Sequence, residues 1–152
     1  MIIKGEDGQS IVLRIESYEF PDSIDYDDGN WLRIYFNVKN RFGEWETIYP
    51  CLMTRDIKEL ITWLKNLANN IEPKWRDQEF LEPNISFYLL TTFEAEIKKI
   101  KIVLDLGTFR KEFRPIPESD VEEYSVILNA DSTDLNRLAN ELQEDFDKYP
   151  VR

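Results

Sequence analysis

The chain has 152 residues, with 30 Asp and Glu against 19 Lys and Arg, a net charge of -11, and no histidine. The missing histidine removes the commonest general base near neutral pH, the commonest metal ligand and every Ser-His or Cys-His nucleophile. The acidity disfavours direct binding to nucleic acid, whose phosphates attract basic surfaces, and favours steered association with a basic partner.

The first third predicts strands. Ile11, Leu13 and Ile15 alternate with Val12, Arg14 and Glu16, which turns one apolar face inward at the two-residue period. Tyr18 and Phe20 then switch parity, and the switch predicts a bulge near Ser17. Pro21 to Asn30 is a polar loop rich in turn-forming residues. Leu32, Ile34, Phe36 and Val38 form the next apolar face. The segment from Asn40 to Glu44 reads as a hairpin turn into a strand from Trp45 to Met53.

The period then changes. With Thr54 as the expected N-cap, Ile57, Leu60, Ile61, Leu64, Leu67 and Ala68 recur at three- and four-residue steps and predict an amphipathic helix closed by Asn69, Asn70 and Pro73. Strand-like runs follow at Ile85 to Thr92, Ile97 to Leu106 and Val121 to Asn129. Between the last two, the stretch with Gly107, Pro115 and Pro117 reads as a turn and a loop. A final helix starts near Asp131 and carries the stripe Leu135, Leu138, Ala139, Leu142 and Phe146, with Pro150 ending it. Asp131 and Asp134 lie where the helix dipole stabilises negative charge.

The expected fold is therefore α+β, a single domain over residues 1–152. It combines a mainly antiparallel β-sheet of about seven strands with two amphipathic helices, one central and one C-terminal, packed on the sheet. A hydrophobic content of 42% separates the chain from disordered acidic tails. No apolar run approaches the roughly 18 residues of a membrane span. The N-terminus lacks the apolar core of a secretory signal, so the cytoplasm is the expected compartment and no membrane partner is expected.

The charge is uneven: residues 1–50 carry net -5, residues 51–100 net -1 and residues 101–152 net -5. Two acidic groups stand out, the loop Asp22, Asp25, Asp27 and Asp28, and the cluster Glu118, Asp120, Glu122 and Glu123. The loop fails as a calcium hand. Counted from Asp25, the fifth position is Gly29, the sixth Asn30 and the twelfth Asn37, where a Glu is needed. The lone Cys51 sits in the apolar run Tyr49 to Met53 and reads as a buried side chain, not a nucleophile. No phosphate-binding glycine loop and no nucleophile elbow is present, so no catalytic residue, metal ligand or cofactor is expected. Phe80 to Phe87 reads as a strand entry, with Pro83 and Asn84 supplying turn chemistry.

Several segments, taken in order, resemble the WapI-type immunity proteins of bacterial polymorphic toxin systems. They are Tyr18-Glu19-Phe20-Pro21, an acidic loop leading to Asn30-Trp31-Leu32, and Pro50-Cys51-Leu52-Met53-Thr54 entering a helix with Leu60 and Trp63-Leu64. Glu82-Pro83-Asn84-Ile85-Ser86-Phe87 and the closing Tyr149-Pro150-Val151-Arg152 complete the series. The resemblance implies a non-enzymatic antitoxin that binds the toxic C-terminal domain of a delivered toxin, often a nuclease, and blocks it. A basic toxin domain would suit the acidic surface, and the two acidic groups are then the expected contacts. The other readings are a general protein-binding scaffold module without a toxin partner, and a hydrolase using paired carboxylates.

Overall fold

A computed structural model describes residues 1–40, 43–105 and 123–152, with residues 40, 43 and 123 described by backbone alone. Among these residues the fold is α+β, with seven antiparallel strands divided between two sheets. The first sheet has the order β1-β2-β3-β4, from strands Ile2–Lys4, Ser10–Tyr18, Trp31–Asn40 and Gly43–Met53. The second has the order β5-β6-β7, from Ile85–Leu89, Lys98–Asp105 and Glu123–Ala130. Helices α1 (Tyr26–Gly29), α2 (Thr54–Ala68) and α3 (Ser132–Phe146) complete the described elements.

The alternation in the sequence sets the register. Ile11 pairs with Val38, Leu13 with Phe36 and Ile15 with Ile34, so the apolar sets of β2 and β3 share one buried face. The expected bulge is present: the register shifts between Ile15 and Ser17, leaving Glu16 as the extra residue. A second shift, between Leu32 and Arg33, makes Cys51 the extra residue of β4. In the second sheet, Phe87 pairs with Ile102 and Ile102 with Val126, and all three are buried. Each such side chain stabilises the fold by about 1.5–3 kcal/mol relative to exposure.

Among the described residues the strands do not run into one continuous sheet. The two sheets meet where Trp45 of β4 contacts Tyr124 of β7 edge to face, with ring centroids 5.5 Å apart. The loop after β1 also approaches β7, where Asn129 Nδ2 donates to Glu6 Oε1 at 2.7 Å. Helices α2 and α3 pack mainly against each other, and both enter the same core cluster as the two sheets.

Helix ends follow local chemistry with one departure. Asp131, near which the last helix was expected to start, caps α3, its Oδ1 accepting from Asp134 N at 2.9 Å. Thr54 is not the cap of α2. The N-cap is Met53, whose amide donates to Asp56 Oδ2 at 2.8 Å, and the Thr54 hydroxyl is drawn to Asn30 instead. Burial pushes the Asp56 carboxyl above its ordinary pKa, against the pull of the Met53 amide. Asn70, in the left-handed region at φ 55°, ends the α2 turn, and its Oδ1 accepts from the buried Lys98 ammonium at 2.5 Å. β1 was not foreseen, because three residues are too few to show an alternation. The 21–30 loop likewise gains the short helix α1.

Candidate functional site

The acidic loop is assembled by its own turn chemistry and by contacts from distant parts of the chain. After β2 the chain turns with Ser23 N donating to Phe20 O at 3.1 Å. Asp25 then caps α1: its Oδ1 accepts from Asp27 N at 2.9 Å and Asp28 N at 3.1 Å. Gly29 closes the helix with no room to spare, since a Cβ there would stand 3.3 Å from Ser23 O.

Asn30 is the anchor. Its side chain is buried at 2% exposure and all four of its hydrogen-bonding positions are engaged. Nδ2 donates to Tyr26 O at 2.7 Å and to Arg152 O at 3.1 Å. Oδ1 accepts from Thr54 Oγ1 at 2.8 Å and from Arg152 N at 3.0 Å. One amide therefore ties α1, the start of α2 and residue 152 together.

The last residues complete the clasp. Arg152 Nη2 donates to Pro21 O at 2.6 Å, and its guanidinium lies 4.8 Å from the centroid of the Tyr18 ring. The Tyr18 hydroxyl donates to Pro150 O at 2.5 Å, and the Tyr149 hydroxyl to Glu16 O at 2.7 Å. The two tyrosines meet edge to face at 5.7 Å. Burial holds the Tyr18 hydroxyl above its ordinary pKa, although the Arg152 charge pulls it down.

The four predicted loop acids have different fates. Asp25 is committed to capping, and Asp27 lies 3.5 Å from Arg55 in an exposed ion pair. Asp22 and Asp28 project into solvent. Glu118, Asp120 and Glu122 lie outside the described residues, and Glu123 is described only through its backbone pairing with Asp105.

Sequence reasoning missed the apolar members of this surface. Phe20 is 46% exposed, Ile24 104% and Tyr26 60%, interleaved with the acids. The available signal was Ile24 itself, a β-branched apolar residue inside a turn-rich acidic loop with no periodic partner. An exposed aromatic side chain retains apolar area that contact with another surface would bury.

Other candidates resolve into structure. Cys51 is buried and burial pushes its thiol far above the range in which it would ionise. Pro83 and Asn84 stand immediately before β5; Asn84 is fully buried and its carbonyl accepts from Asp105 N at 3.1 Å. Among the described residues no group of three or more Cys, Asp and Glu is placed to hold a metal ion. No described helix is long and apolar enough to cross a membrane.

Comparison with known proteins gives one result that spans the molecule. The model of the immunity protein WapI-like family matches residues 1–150. No curated protein and no solved structure matches the chain significantly.

Proposed function

The chain belongs to the WapI-like immunity protein family, and from that premise we propose that it neutralises the toxic C-terminal domain of a polymorphic toxin by occluding it, in the cytoplasm and without catalysis. The family carries the general role of binding a cognate toxin. The finer proposal is that the toxin domain is a basic one, of nuclease type, and that the loop from Phe20 to Asp28 is a principal contact. We also read residues 1–152 as one folding unit.

The observation that carries this reading is a pre-ordered surface mixing Asp22, Asp27 and Asp28 with exposed Phe20, Ile24 and Tyr26. The acids supply long-range attraction to a basic partner, which raises the association rate and makes it salt-dependent. The apolar side chains supply burial once contact is made. Because Asn30 and Asp25 already fix the loop, little ordering entropy is lost on binding.

The test is co-expression and pull-down with the adjacent toxin's C-terminal domain, followed by association kinetics at low and high salt. The expected result is one-to-one binding that abolishes toxicity and weakens with salt. Asp22→Lys with Asp28→Lys should slow association about tenfold at low salt and flatten the salt dependence. Binding unaffected by reversal of Asp22 and Asp28 would remove the loop from the interface. Absence of binding would replace the toxin reading with that of a scaffold module.

A further inference from the structure

A groove of about 350 Å³ runs along α2 from Arg55 to Asn66, walled by Lys58, Glu59, Trp63, Lys74 and Trp75 among others. Its charge is opposite to that of the molecule. Arg55, Lys58 and Lys74 stand here with Glu59, and Asp27 lies 3.5 Å from Arg55, which leaves one cation in excess on a chain of net charge -11. With a Debye length of about 8 Å at physiological salt, charges beside the groove weigh more on a docked group than acids elsewhere on the chain.

The groove also has an anchor and a rigid wall. Trp75 is 63% exposed, an unusual state for the residue with most to gain from burial. The Lys74 ammonium lies 5.3 Å from its ring centroid, so the cation and the apolar face present together. Trp63 is buried at 2% exposure, and its indole N–H donates to Arg76 O at 3.2 Å, which fixes the wall. Arg55 connects the groove to the acidic loop through its ion pair with Asp27. The acidic loop and the basic groove are therefore neighbouring parts of one surface.

We propose that this groove docks an acidic segment of the partner polypeptide, with a carboxylate between Lys58 and Lys74 and an apolar side chain on the exposed face of Trp75. This rests on the reading of the protein as a toxin-binding immunity protein and adds a contact of opposite polarity to it. The volume lies at the lower end of the range for ligand sites, which suits one or two anchoring side chains. Glu59 and the Asp27 partner of Arg55 set two carboxylates beside the cations. That arrangement disfavours a polyphosphate such as RNA and accommodates single carboxylates. A paired acidic loop and basic groove also fix orientation, because a partner docked in reverse would set like charges together.

The experiment uses the full chain and the same toxin domain. Lys58→Glu with Lys74→Glu, and separately Trp75→Ala, should each weaken the complex at least tenfold, mostly through faster dissociation for Trp75→Ala. Acrylamide quenching of Trp75 fluorescence, isolated by difference against Trp75→Phe, should be strong in the free protein and lost in the complex. The substituted residues are on the surface, and unchanged circular dichroism and urea midpoints would confirm the fold. Tight binding that depends on Asp22 and Asp28 but changes less than twofold in the groove variants, with Trp75 still quenched, would overturn the groove alone. Failure of the wild-type chain to bind would overturn both readings. Binding of a single-stranded RNA oligonucleotide at the groove, lost in Lys58→Glu with Lys74→Glu, would overturn the polypeptide assignment.

Discussion

Replacing Asn30 with Ala tests the clasp directly. The substitution removes four hydrogen bonds, two donated by Nδ2 and two accepted by Oδ1. The Tyr26 carbonyl and the Arg152 main chain lie near the surface and can turn to water. Thr54 cannot, since it is 1% exposed and its hydroxyl is left without its acceptor. Stranding a buried hydroxyl costs about 1–3 kcal/mol, and each exchanged bond contributes about 1 kcal/mol net. We expect Asn30→Ala to destabilise the protein by about 2–4 kcal/mol. Urea unfolding at pH 7 measures this, and a double-mutant cycle with Thr54→Val isolates the buried pair. The double variant should fall short of the summed single effects by about 1 kcal/mol, because it no longer buries an unpaired hydroxyl. Limited proteolysis should also cut the 20–30 loop faster in Asn30→Ala than in the parent. A loss below about 0.5 kcal/mol, with additive effects and unchanged proteolysis, would refute the role of Asn30 as anchor.

Two further outcomes follow from other parts of the molecule. At Gly5 a Cβ would stand 2.3 Å from Val126 Cγ1 and 3.0 Å from Ile127 O, so Gly5→Ala must push the β1–β2 loop off β7. Its own backbone, at φ -90°, is open to any residue, so the expected loss of about 1–3 kcal/mol comes from overpacking; an unchanged urea midpoint would contradict that. Glu141 accepts from Ile2 N and from Arg137 Nη1, both at 2.8 Å. Burial raises its pKa, but these two bonds, the Arg137 charge and the terminal ammonium outweigh burial and hold it below the ordinary value of 4.5. A carboxylate depressed by folding stabilises the native state above its unfolded pKa, and that contribution is lost as pH falls through the folded value. Glu141→Gln should therefore lower the urea midpoint near neutral pH and converge on the parent in strong acid. Equal losses at both ends would show that charge at Glu141 does not matter.

Much of the framework was legible because it depends on short-range periodicity. The two-residue alternation of Ile11, Leu13 and Ile15 and the three- and four-residue steps of α2 and α3 are consequences of backbone geometry alone. The parity switch after Ile15 located the bulge for the same reason. Burial of Cys51 followed from its apolar neighbours. The groove was less legible, since Lys58 and Trp75 are brought together by a turn whose path no periodicity encodes.

The tertiary structure decided matters in which a residue's best partner is remote. Thr54 is a good N-cap by propensity, yet its hydroxyl goes to Asn30, 24 residues earlier, because a buried amide needs every partner it can reach. Asn30, Thr54 and Arg152 each stood in a segment that carried the family resemblance, and only the fold shows that those segments close on one amide. The acids of the loop were visible in the sequence, but the exposure of Ile24 and Tyr26 is set by the path of the clasped loop. Sequence thus determined the elements through local sterics and apolar spacing. Tertiary contact decided which polar groups are buried together and which apolar groups are left outside, since both depend on neighbours that chain order does not specify.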